Sequence, residues 1–151
     1  PVAGPAQKGK PSEYLLPLAN APNTTALRTY AGDLSILCEI FWQHTYDLPQ
    51  LRVGAFRTVV DVGANVGLAV LLFLEKFPVT RLVCVEPESA NFRLLQRNLR
   101  STPAVALHAT NGVVKIDSSS QAYNTKIIAH TGTTKVVAMS MPSLLHSQGL
   151  A

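Results

Sequence analysis

The sequence predicts an α/β fold: an incomplete sheet built on a parallel βαβ core and continued by a β-rich C-terminal segment. Two observations carry the core. Thr58-Val-Val-Asp-Val-Gly63 and Arg81-Leu-Val-Cys-Val-Glu86 are short runs rich in β-branched residues, the pattern of strands buried on both faces. Between them Val66 to Phe77 is almost wholly apolar and is closed by Pro78, which suits a helix long enough to carry the chain back over the sheet. The third observation is that apolar, β-branched clusters recur after Ser101 with turn residues between them.

In chain order, residues 1–30 are expected as an extended arm, since residues 1–25 hold five of the ten prolines with no helical or strand period. Residues 31–151 form the folded unit. Asp33 is a suitable N-cap for a helix running to Tyr46, with Leu34, Leu37, Ile40, Phe41 and His44 along one face, and Pro49 sets its latest end. After the βαβ unit a second helix, Glu88 to Leu99, turns Phe92, Leu95 and Leu99 inward and leaves Arg93, Arg97 and Arg100 on a solvated face. Clusters at Ala104–Ala109, Val113–Ile116, Lys126–His130 and Lys135–Met139 are expected strands, with tight turns at Asn111-Gly112 and Gly132. A short helix should run from Pro142 to Gly149.

Composition narrows the function classes. The chain has 151 residues, of which 47% are hydrophobic and only 15% charged, with a net charge of +4. That positive excess has no focus: five basic and four acidic residues lie in 1–57, six and five in 58–117, and two lysines beyond. No nucleic-acid partner is therefore expected. The longest apolar stretch, Val66 to Leu74, is far below the roughly 20 residues of a membrane span, and no leader pattern opens the chain, so a cytoplasmic protein without a membrane partner is expected. Cys38 and Cys84 lie in apolar runs and are expected as buried free thiols. No metal site is expected, because His44, His108, His130 and His146 show no ligand spacing. Phe41 and Trp42 are expected in the core or at an interface.

The chemistry concentrates in Asp61-Val-Gly-Ala-Asn-Val-Gly67, at the junction of the first strand and its helix. Glycines allow the backbone to turn sharply and approach a ligand, and free amides at the helix start point outward. Glu86 ends the next strand 19 residues after Gly67, near the separation at which an acid reaches ribose hydroxyls in a nucleotide-binding half. The dinucleotide spacing G-x-G-x-x-G is broken here, which disfavours NAD. Asp61, ahead of the turn, can meet a cationic amino group such as S-adenosylmethionine carries.

Val59-Val-Asp-Val-Gly-Ala-Asn-Val-Gly67, Val85-Glu-Pro-Glu88, Asn91, Leu94-Leu95 and Asn98-Leu99 together resemble the cofactor-binding half of FkbM-type methyltransferases. The resemblance extends to the helix Asp33 to Tyr46, and to Val137–Leu145, where Pro142 and Ser143 stand in place of two acids. It implies a Rossmann-like class I methyltransferase fold over residues 31–151. It also implies S-adenosylmethionine as cofactor, with Asp61, Gly63, Ala64, Asn65 and Gly67 around the methionine part and Glu86 on the ribose. The implied reaction is O-methylation of a small-molecule hydroxyl on a sugar or secondary metabolite. The family's later strands have no counterpart before Ala151, so a truncated domain that associates as a homodimer or higher oligomer is expected. The rival expectation is a non-catalytic, self-associating remnant of such a domain. No catalytic residue is assigned.

Overall fold

A computed structural model describes residues 13–17, 24–47, 49, 54, 56–100, 102, 104–107, 113–117, 126–127, 134–137 and 140–150. Its centre is a three-stranded parallel sheet in the order β3-β4-β5, formed by Thr58–Val62, Arg81–Val85 and Ala104–Leu107. Val60 pairs with Val83 and Asp61 with Cys84, so the two apolar runs lie in register and end together beside the glycine turn. Helices α2 (Leu68–Lys76) and α3 (Ser89–Asn98) are the crossovers, as the periodicity predicts.

Both faces of β4, the middle strand, are covered. On one, Leu82 and Cys84 pack with Val70 and Leu71 of α2 and Leu95 and Leu99 of α3. On the other, Val83 and Val85 pack with Leu144 from α4, Met141–Ser147, which Ser140 caps by accepting the Ser143 amide. The strands β6 (Val113–Asp117), β7 (Lys126–Ile127) and β8 (Thr134–Val137) form a separate antiparallel sheet in the order β7-β6-β8. The expected turns at Asn111-Gly112 and Gly132, and His108 and His130, lie outside the described residues.

Strand β3 differs from its expected burial on both faces. Its middle residues are half-buried and its last, Val62, is 57% exposed, and among the described residues it pairs only with β4.

The expected arm is also corrected. Glu13–Pro17 (β1) and Thr24–Arg28 (β2) pair antiparallel as a hairpin, and Thr25 to Arg28 are buried. Ala26 and Leu27 join Ile40, Val66, Leu68 and Leu94 in a second core. Asn98 docks the hairpin: its Oδ1 accepts the Ala26 amide at 2.8 Å, while its Nδ2 donates to the carbonyls of Ala26 and Val66. A side chain of α3 thus completes the hydrogen bonding of a backbone that has no strand on that side among the described residues.

The first helix departs from expectation as well. Its α-helical part, α1, is Asp33–Leu37, capped by Gly32 in a left-handed conformation, and Cys38–Trp42 continues as a π-helical turn. Asp33 does not cap it. Its buried carboxylate instead takes the Arg28 guanidinium through two oxygens, at 2.9 and 2.8 Å, and the Arg28 amide at 2.8 Å. The expected apolar face is not kept: Ile40 is buried, while Leu34, Cys38 and His44 are exposed and Trp42 is 84% exposed. The Cys84 thiol is buried, as expected, and burial next to Asp61 pushes its pKa up to about 12. No helix among the described residues is long and apolar enough to cross a membrane.

Candidate functional site

The turn after β3 is held open by its own backbone. The amides of Gly63 and Ala64 both donate to the Val85 carbonyl, at 2.8 and 3.0 Å, tying the end of β3 to the end of β4. Gly63, Asn65 and Gly67 have φ of 91°, 50° and 90°, a left-handed sequence that favours glycine and tolerates asparagine.

The two glycines do different work. A Cβ on Gly63 would meet nothing within 4 Å, so this residue borders open space. A Cβ on Gly67 would lie 2.8 Å from Leu95 Cδ1. Gly67 therefore serves the close approach of the turn to α3, and the structure places it behind the site rather than in it.

A pocket of about 240 Å³ opens over the turn, lined by Asp61, Gly63, Ala64 and Asn65 on one wall and by Ile36, Glu39, Ile40 and Tyr46 on the other. Its size lies below the roughly 300–1,000 Å³ of a complete drug-sized site, so it has room for one end of a nucleoside cofactor. Asp61 Oδ2 and Asn65 Oδ1 are buried with no hydrogen-bond partner among the described residues. Such atoms destabilise a fold by about 1–3 kcal/mol each, which a ligand donor would offset. Burial raises the Asp61 pKa. The lining includes no Lys or Arg, so the chemistry of the pocket suits a cationic group and opposes a pyrophosphate.

Glu86 sits beside this pocket without lining it. Its carboxylate is buried, 4% exposed. Oε1 accepts the Glu88 amide at 2.8 Å and the Asn91 side-chain amide at 3.4 Å, and Oε2 accepts the Asn65 amide at 2.8 Å. Burial raises its pKa against the opposing pull of those three donors. A carboxylate has about four acceptor positions, so with three taken among the described residues Glu86 has one left for an outside donor rather than the pair a ribose diol would use.

Behind Glu86 stands a buried relay. Asn91 Oδ1 accepts from Arg28 at 2.7 Å, and Arg28 is fixed in turn by Asp33. Glu88 caps α3 by accepting the Asn91 amide at 2.7 Å. The structure thus brings Asp61, Gly63, Ala64 and Asn65 together around one pocket and links Glu86 to them through the Asn65 amide. Sequence reasoning missed Glu39 and Tyr46 on the opposite wall. The available signal was an acid placed three residues after Ile36 and immediately before Ile40, within an otherwise apolar stripe.

No family model matches the chain. It is 37% identical over 68 residues to the methyltransferase sdnD of Sordaria araneosa, covering 45% of this chain and 26% of that protein. It is 33% identical over 75 residues to methyltransferase 1 of Beauveria bassiana, covering 50% and 27%. Each match therefore spans about a quarter of the relative's length. Among solved structures, a chain from a complex containing the Haloferax volcanii Trm112 methyltransferase activator is similar over 52% of this chain and 36% of its own, with 17% identity and a TM-score of 0.41. About half of this chain is thus similar in sequence to parts of two fungal proteins named as methyltransferases.

Proposed function

We propose that this chain is the cofactor-binding part of an S-adenosylmethionine-dependent methyltransferase. The observation that carries the reading is the buried, unpartnered carboxylate oxygen of Asp61, a residue that lines a pocket without basic residues at the end of the first parallel strand. Asp61, Asn65 and the backbone carbonyl of Gly63 would hold the amino-acid end of the cofactor, with Ala64 lining the same pocket, and the remaining acceptor position of Glu86 would take one ribose hydroxyl. When bound, the cofactor supplies a methyl group on a sulfonium. The chain's own residues orient it, which in a displacement is a large part of the rate. The relatives' names support methyl transfer in general. FkbM type, with O-methylation of a sugar or secondary-metabolite hydroxyl, is the finer reading and rests on the motif resemblance.

Calorimetry with S-adenosylmethionine, S-adenosylhomocysteine and NAD tests this proposal. Either methionine-derived ligand should bind more tightly than NAD. Glu86→Ala should weaken binding by about 1.5–3 kcal/mol, the worth of one hydrogen bond to a charged group. Preferential binding of NAD would overturn the proposal, and equal affinity in the two proteins would remove Glu86 from the site. A second reading, a self-associating domain that binds cofactor without catalysis, is favoured by the edge of β3 that has no partner among the described residues.

A further inference from the structure

We propose that Glu39 is a specificity-determining residue of the same site, one that makes the pocket prefer a ligand carrying a full positive charge, the sulfonium cofactor, over the neutral thioether left after methyl transfer. This rests on the cofactor reading above. Glu39 lies on the π-helical turn Cys38–Trp42, and with Ile36 and Ile40 it forms the wall opposite Asp61. Residues three and four apart share a helix face, so Glu39 is a charge set into an apolar stripe, a local inconsistency of the kind that marks functional positions. The stripe itself is ordinary: Ile40 is buried and Ile36 half-buried.

The backbone fixes where Glu39 stands. Its carbonyl accepts both the amide and the hydroxyl of Thr45, at 3.2 and 2.8 Å, which closes the turn and carries the chain to Tyr46. Tyr46 is packed edge to face against Phe73 of α2, with ring centroids 5.9 Å apart, and it lines the same wall. The Glu39 carboxylate makes no ion pair among the described residues. The pocket is thus bounded by acids on two walls, with no basic residue in its lining. Two acidic residues lining one cleft raise its affinity for cations and lower it for neutral or anionic groups of the same shape. Asp61 is half-buried and Glu39 exposed, so the Glu39 contribution is the one that salt should screen more.

The test is calorimetry of S-adenosylmethionine and S-adenosylhomocysteine with the wild-type chain, Glu39→Gln and Glu39→Asp, at low and high salt. Glu39 is exposed, so these variants should fold, and circular dichroism checks that they do. In the wild type the sulfonium ligand should bind more tightly, and Glu39→Gln should reduce that preference about 1.5-fold to fivefold, the range of an exposed, screened charge pair. Glu39→Asp should retain part of it, and raising the salt should erode the preference of the wild type more than that of Glu39→Gln. Binding with the same preference in wild type and Glu39→Gln would overturn the role of Glu39 and leave the cofactor reading standing. Failure of the wild type to bind either ligand would overturn that reading and this assignment with it.

Discussion

Replacing Gly67 by alanine separates the two reasons a glycine is needed in the turn. Its φ of 90° puts any side chain in a conformation that L-residues resist, at about 1–2 kcal/mol. The added Cβ would stand 2.8 Å from Leu95 Cδ1. Leu95 has no exposed surface and cannot swing into solvent, so relief must come from repacking, which adds about 1–3 kcal/mol. The expected loss is about 3 kcal/mol, or roughly 6–12 °C in melting temperature for a chain of this size. Gly63→Ala is the matched control, because its φ is 91° and its Cβ would meet nothing within 4 Å. It should show the conformational part alone. Urea unfolding of both variants and of Gly67→Ala/Leu95→Ala reads the difference, and in the double variant the two losses should be less than additive. Equal destabilisation by Gly63→Ala and Gly67→Ala would refute the packing role of Gly67.

Three further outcomes follow from the geometry. Arg28→Ala leaves the buried Asp33 carboxylate and Asn91 without their cation, and urea unfolding should show a loss of about 3–5 kcal/mol. Burial raises the Asp61 pKa, so the folded chain holds that proton above the ordinary range of about 3.9, and stability is lost as pH rises from there through the folded value. Asp61→Asn should remove that loss, melting higher than the wild type above the transition while binding cofactor more weakly; a variant no more stable at neutral pH would refute the account of Asp61. Finally, β3 has one unpaired edge among the described residues, next to the exposed Val62. A second copy pairing there would give a dimer in sedimentation at micromolar concentration, and a single monomeric species would refute that pairing.

The parallel core was legible because its signals are local. The runs Thr58–Val62 and Arg81–Val85, the apolar helix between them and the glycine turn each announce themselves within a few residues, and the structure joins the two runs as adjacent parallel strands, as expected. The hairpin was not legible. Nothing within Thr24–Arg28 shows that this strand is buried, since the partner that completes the Ala26 backbone is Asn98, 72 residues away. The prolines around it pointed to an arm, and tertiary contact overrode them. Asp33 shows the same failure at one residue. As an isolated helix signal it is an N-cap, but a neighbouring arginine on a buried strand competes for the carboxylate, and a bidentate buried pair is stronger than one cap bond.

The asparagines of α3 show how such distant contacts reach the site. An amphipathic reading sorts Asn91 and Asn98 to the polar side of the helix, yet they are 1% and 4% exposed. Both can be buried because an amide side chain donates and accepts at once, and so can join two elements that each have an unmet backbone or side-chain group. Asn98 joins the hairpin to the Val66 carbonyl at the base of the glycine turn. Asn91 joins Arg28 of the hairpin to Glu86 at the end of β4. The hairpin is therefore tied to both halves of the candidate site, the turn that would hold the amino-acid end and the acid that would hold the ribose. Loosening it at Arg28 should disturb the orientation of Glu86 through Asn91, although Arg28 lines no part of the pocket over the glycine turn.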